Sequence, residues 1–148
     1  APLGGEMSGH IFFKERWYGF DDGLYAGARL IEILARHPDP ESLLLGLPNA
    51  TSTPEIQIPM HEGEPRALVE KLLQRPDLFP GASEMIALDG LRVEYPDGFG
   101  LVRASNTTPV ATLRFESDDD VGLLRIERDF ARALSTVWPG IVLPFPHA

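Results

Sequence analysis

Apolar residues recur at helical spacing in three stretches of this chain and in short strand-like runs in six others, and those two periods sort the sequence into elements. The first helix is capped by Asp21 or Asp22 and runs to about residue 37, with Tyr25, Leu30, Ile31, Ile33 and Leu34 on its apolar side. Ala26, Gly27 and Ala28 leave it thin enough for close approach to a sheet, and Pro38 and Pro40 end it. A second helix opens at Pro65, buries Leu68, Val69, Leu72 and Leu73, and stops before Pro76. The third covers about 118–134, with Leu123, Leu124, Ile126, Phe130 and Leu134 on its apolar side. Its acids lead (Asp118, Asp119, Asp120) and its arginines follow (Arg125, Arg128, Arg132), an order that complements the helix dipole.

The strand-like runs are 10–13, 55–58, 85–88, 91–95, 99–103 and 110–115. Asp89-Gly90 between the third and fourth runs predicts a two-residue type I′ hairpin, and Pro96-Asp97-Gly98 turns the chain into the next strand. Residues 43–47 read as a hydrophobic turn, 48–54 as a polar boundary loop, and 138–145 as a hydrophobic tail that must lie against something. The expected fold is α+β in two units. Residues 1–47 form a strand-loop-helix piece of an α/β domain. Residues 48–148 form a two-layer domain with a four-stranded, mainly antiparallel sheet and two helices. A dense polar loop begins at residue 4 with no element ahead of it, and the first helix has nothing upstream to cover, so the chain reads as cut from something larger.

Composition narrows the function classes. The chain has 148 residues, 43% hydrophobic and 24% charged, enough for one compact domain plus a piece of another. It contains no cysteine, which removes disulfides, thiolate metal sites and thiol nucleophiles and agrees with a reducing compartment. No run approaches the roughly 18 apolar residues of a membrane span, and no targeting segment is visible, so the expected address is cytoplasmic, without a membrane partner. Thirteen Lys and Arg against 22 Asp and Glu give a net charge of -9. Duplex nucleic acid, which needs basic contacts spread over a face, is excluded as a partner.

Against that acidity, residues 98–115 hold no carboxylate, only Arg103 and Arg114. Within this window Arg103-Ala104-Ser105-Asn106-Thr107-Thr108-Pro109 combines a guanidinium, three hydroxyls, an amide and a small residue that lets backbone N–H groups approach an anion. Singly, Arg103 reads as a surface ion-pair residue and Ser105, Asn106 and Thr107 as a side-chain-bonded turn. As a set they are suited to a small phosphate ester. A second loop, Gly5-Glu6-Met7-Ser8-Gly9-His10, has other chemistry: Glu6 accepts from sugar-type hydroxyls, Ser8 donates and accepts, and His10 carries a proton near neutral pH. Glu6 and His10 without a further His or Cys fall short of a zinc ligand set. His37, His61 and His147 read as solvated, Lys14, Glu15 and Arg16 as a solvated turn, and Trp17, Tyr18 and Phe20 as packing.

Both loops resemble known motifs. Residues 5–10 look like the sugar-recognition loop of the α-D-phosphohexomutases, and 103–109 like their phosphate-binding loop; the likeness extends to Gly19-Phe20-Asp21-Asp22-Gly23 and Ser52-Thr53-Pro54-Glu55. Met7 brings the first loop nearest to the bacterial phosphomannomutase/phosphoglucomutase branch. The resemblance implies a four-domain isomerase that moves a phosphoryl group between positions 1 and 6 of a hexose through a hexose 1,6-bisphosphate. Its phosphoserine and its Mg²⁺-binding loop would lie upstream. Residues 1–47 would then end the third, sugar-recognition domain and 48–148 would be the fourth, with no catalytic residue in this chain apart from His10 as a candidate proton shuttle. Glu6, Met7, Ser8, Gly9 and His10 would contact the sugar, and Arg103, Ala104, Ser105, Asn106 and Thr107 would grip the non-transferring phosphate. Mannose and glucose phosphates would present similar hydroxyls to Glu6 and Ser8. The fragment alone would be inactive and, lacking its upstream domains, prone to self-association through Leu30, Ile33 and Leu34. The alternative from another class is a stand-alone, non-catalytic module that binds phosphosugars or a protein.

Overall fold

A computed structural model describes residues 1–6 and 8–145, in two compact units, Ala1–Pro48 and Asn49–Ala148. His147 and the remaining terminal residues lie outside the described part, as does Met7.

The first unit opens with a hairpin of β1 (Leu3–Gly5) and β2 (Ile11–Phe13), paired antiparallel from Leu3 opposite Phe13 to Gly5 opposite Ile11. Glu6, Ser8 and Gly9 of the polar loop therefore lie at the tip of a hairpin. This corrects the expectation that nothing precedes it: β1 is three residues, two of them glycine, too short and too plain to show a period. Helix α1 (Gly23–Arg36) follows, capped by the Asp22 carboxylate accepting from the Tyr25 N–H at 2.9 Å. Trp17 stacks on Tyr25 with ring centroids 4.2 Å apart and nearly parallel planes, and Phe13 meets the same tyrosine edge-on. Tyr18 and Phe20, expected as packing residues, are instead mutually stacked and exposed. Arg16, expected in a solvated turn, grips both Glu32 carboxylate oxygens at 2.9 and 3.1 Å, and Arg29 holds Glu15 at 2.7 Å. The apolar side of α1 stays open in this unit, with Leu24, Ile31 and Ile33 exposed. Where a turn was expected, α2 (Pro40–Leu45) forms: Pro40 takes the first helical position behind an Asp39 cap, so it starts a helix instead of closing one.

The second unit is a sheet with helices on one face. Its strands are β3 (Thr51–Ser52), β4 (Ile56–Pro59), β5 (Glu84–Ile86), β6 (Leu91–Tyr95), β7 (Gly98–Ala104) and β8 (Val110–Ser117); helices α3 (Glu64–Leu73) and α4 (Asp120–Val137) cover it, with a 3₁₀ turn at Pro76–Leu78. All pairings are antiparallel, in the order β3-β8-β7-β6-β5, with β4 also on β8. The sheet thus has six strands, not four, because β3 and β4 both add to the far edge of β8. Alternation sorts the faces: Leu91, Val93, Val102, Leu113 and Phe115 are fully buried under Leu68, Leu72, Ile126, Phe130 and Leu134. Strand β7 carries Gly100 where a Cβ would come within 2.2 Å of the Phe130 ring, so α4 seats directly on the strand backbone. The expected hydrophobic tail lies on this core, with Leu143 and Phe145 buried and Lys71 Nζ 4.3 Å from the centre of the Trp138 ring.

The β5–β6 connection departs from the expected two-residue turn. β5 ends at Ile86, which pairs with Arg92, and β6 begins at Leu91, so the connection is the four residues 87–90, with Gly90 alone among them at positive φ, +101°. A side chain at Gly90 would meet the Val102 carbonyl at 2.4 Å and Arg103 Cβ at 2.6 Å, so this turn packs against the root of Arg103.

Candidate functional site

Within the first unit, the hairpin tip is closed by the Glu6 N–H donating to the His10 carbonyl and the Gly9 N–H donating to the Glu6 carbonyl, both at 3.0 Å. Gly9 has φ +87°, a conformation that L side chains rarely adopt. Ser8 Oγ donates to Glu6 Oε2 at 3.2 Å, so the glutamate and serine expected to read hydroxyls are adjacent and exposed. The two candidate cap residues divide their work. Asp22 caps α1, and Asp21 holds His10 Nδ1.

That hydrogen bond to Asp21, helped by its charge, raises the His10 pKa above 6.5. A raised folded-state value means that the stabilising pair is fully present below the unfolded pKa and is lost as pH rises through the folded one. An NMR titration of His10 is expected to give a midpoint above 6.5, and Asp21→Asn to bring it down. An unchanged midpoint in that variant would remove Asp21 as the cause.

Within the second unit, the β7–β8 pairing runs to Ala104 opposite Ala111, and the loop 105–109 spans the end. The Ser105 N–H donates to the Val110 carbonyl at 2.9 Å, the Val110 N–H donates to the Thr108 carbonyl at 2.8 Å, and Pro109 O accepts from the Met60 N–H at 2.9 Å. Ser105 Oγ sits inside the turn, 3.1 Å from Thr108 Oγ1 and 3.5 Å from Thr107 Oγ1, and accepts long bonds of 3.4 Å from the Thr107 and Thr108 N–H groups. The serine therefore organises the loop as a side-chain-bonded turn does. Asn106 is exposed, and its carboxamide has no partner among the described residues. The loop so offers an amide, two threonine hydroxyls and weakly engaged backbone N–H groups to an incoming oxyanion.

Arg103 follows buried Val102 in β7, so its side chain leaves the sheet on the face away from the helices. There Nη1 lies 3.3 Å from Asp89 Oδ2, with both side chains about half exposed or more. The carboxylate-free stretch in sequence is thus not carboxylate-free in space, because the hairpin register carries Asp89 to Arg103. A cavity of about 350 Å³ opens on the helix side of the loop, lined by Ala104, Ser105, Asn106 and Thr108 together with Glu62, just ahead of α3, and Arg66 in its first turn. Arg103 and Thr107 are not in its wall. Glu62 and Arg66 carry no sequence signal of their own, and Asp89 reads in sequence only as a turn residue. No group of three or more His, Asp or Glu side chains gathers among the described residues, so the Mg²⁺ that the resemblance implies finds no fitting ligand set in them. No helix in them is long and apolar enough to cross a membrane.

An antiparallel sheet backed by two helices, with a hydroxyl- and amide-rich loop at the end of its longest hairpin, defines an α+β domain. Family profiles identify it further. The profile described as phosphoglucomutase/phosphomannomutase, C-terminal domain, matches residues 55–133, and that described as phosphoglucomutase/phosphomannomutase, alpha/beta/alpha domain III, matches residues 1–50. The chain belongs to the phosphoglucomutase/phosphomannomutase family. It is 52% identical over 144 residues to a phosphoglucomutase of Neisseria gonorrhoeae, covering 94% of this chain and 31% of that protein. It is 51% identical over 146 residues to a phosphomannomutase/phosphoglucomutase of Pseudomonas aeruginosa, covering 98% of this chain and 31% of that protein. A crystal structure of a phosphoglucomutase/phosphomannomutase family protein from Burkholderia thailandensis superposes with a TM-score of 0.89 at 62% identity, covering 98% of this chain and 30% of that one. The chain spans about a third of the length of these relatives.

Proposed function

We propose that this chain is the ligand-recognition portion of a phosphohexomutase that interconverts hexose 6-phosphate and hexose 1-phosphate through a bisphosphate. Residues 1–47 end its third, sugar-reading domain and 48–148 make its fourth. Glu6, Ser8 and the backbone around Gly9 meet ring hydroxyls, with Met7 in the same loop. His10, held by Asp21, contacts the ligand or passes a proton. Arg103, Asn106 and Thr107, on a turn built by Ser105 with the Ala104 backbone, grip the phosphate that is not transferred. Phosphoryl transfer asks a protein mainly for position and charge, so a loop that holds one phosphate while the other reacts is a useful part even without a nucleophile. The chain's own residues bind and orient. The phosphoserine and the Mg²⁺ ligands are supplied upstream in the parent, whose setting is the cytoplasm.

The observation that carries this reading is the β7–β8 loop, whose serine is consumed in shaping the turn while the carboxamide of Asn106, three positions after Arg103, has no partner among the described residues. Titration of the ¹⁵N-labelled chain with glucose 1-phosphate is expected to shift the backbone amides of residues 104–108, while the same sample shows no turnover. Amides that stay put at millimolar ligand would reject the phosphate loop, and product formation would reject the division of labour.

A further inference from the structure

We propose that Arg66 completes the phosphate seat from the helix side, as a second cationic contact to the same oxyanion that Arg103 meets from the opposite face of the sheet. The inference rests on the phosphate-loop reading given above and adds a residue to it.

Arg66 lies in the first turn of α3 (Glu64–Leu73), which covers the buried face of the sheet, and it lines the cavity that runs under Ala104, Ser105 and Asn106. Arg103 leaves the strand on the other face. The two arginines are therefore carried by different elements, Arg66 by a helix on the buried face and Arg103 by a strand position that faces the other way. An anion seated over the Asn106 amide is approached from both.

Charge points the same way. A phosphate monoester carries between one and two negative charges near neutrality. Arg103 already shares its charge with Asp89 at 3.3 Å, and Glu62 adds a carboxylate to the cavity wall. One shared guanidinium facing that acid leaves a phosphate dianion undercompensated. Nine of the eleven arginines form ion pairs in the described structure; Arg66 and Arg128 do not. Arg66 therefore offers a whole charge and a two-pronged donor at the place where the loop lacks one. Arg128, on α4 and outside the cavity, serves as the natural control.

The test is a phosphate titration of the full chain by NMR, read at the amides of residues 104–108, with inorganic phosphate as the probe. Arg66→Gln is expected to raise the dissociation constant roughly thirty-fold, the size of one charge-assisted hydrogen bond. Arg66→Lys should recover part of the loss, since it restores charge without the fork, and Arg128→Gln should leave the constant unchanged. If phosphate shifts the loop amides and Arg103→Ala abolishes the shifts while Arg66→Gln leaves them intact, the Arg66 assignment falls and the loop reading stands. If the unmodified chain shows no shifts at all, both fall. Equal losses in Arg66→Gln and Arg128→Gln would also overturn the assignment, because net charge alone would then account for the effect.

Discussion

Arg103→Ala in the full-length parent enzyme is expected to lower kcat/KM on glucose 1-phosphate by about 2 kcal/mol, roughly thirty-fold, the effect of removing one charge-assisted hydrogen bond to the ligand. The effect should not be larger. This guanidinium already faces Asp89, so the wild-type protein would gain from phosphate only the difference between two anionic partners. Arg103→Lys should recover part of the rate, since it keeps charge but forfeits the planar fork. Steady-state kinetics of the two variants decide the matter, and wild-type values in Arg103→Ala would reject the clamp.

Phe130→Ala is expected to cost about 3–5 kcal/mol of the second unit's stability, the range for deleting a buried aromatic ring. Phe130 is fully buried, meets Phe79 and Phe115 at centroid distances of 5.0 and 5.1 Å, and lies on Gly100 so closely that no methyl group fits between them. Neighbouring side chains cannot collapse far into the vacated space, because the wall opposite is strand backbone. Urea denaturation of the two proteins should show a lowered midpoint at an unchanged slope. A shift under about 1 kcal/mol would mean that the ring is not what joins α4 to the sheet, a bound well below the usual cost of such a truncation.

What the sequence reveals and what it hides divide along a physical line. Elements long enough to show a period are legible: α1, α3 and α4 through residues such as Leu68, Val69, Leu72, Ile126 and Phe130, and the strands from Leu91 to Phe115 through alternation. Strands β1 and β3, of three and two residues, are too short to display a period, and they exist because a partner strand is present to pair with them. The sheet exceeds the expected four strands because β4 joins β8, some fifty residues away in sequence, and pairing at that distance leaves no local mark. Pro40 reads as a stop because proline closes a helix from inside, yet behind the Asp39 cap it opens one. The two polar loops stand out because their donors are consecutive in sequence. Glu62 and Arg66 do not, since α3 brings them to residues 104–108 only by packing on the sheet. Asp89 is within reach: pairing of Leu91 with Val102 sets the residues before Leu91 beside Arg103. What hides it is the assumption that a local charge gap in sequence persists in the fold.

On the proposed reading, the Asp89–Arg103 pair gives the loop a resident rival for the phosphate. A mutase working through a bisphosphate, as proposed for the parent, would gain little from a grip that never loosens. With an internal carboxylate ready to reclaim the guanidinium, release becomes an exchange of one oxyanion for another, and the arginine is never left bare. Affinity is then traded for turnover by a single hairpin residue that need not touch the sugar.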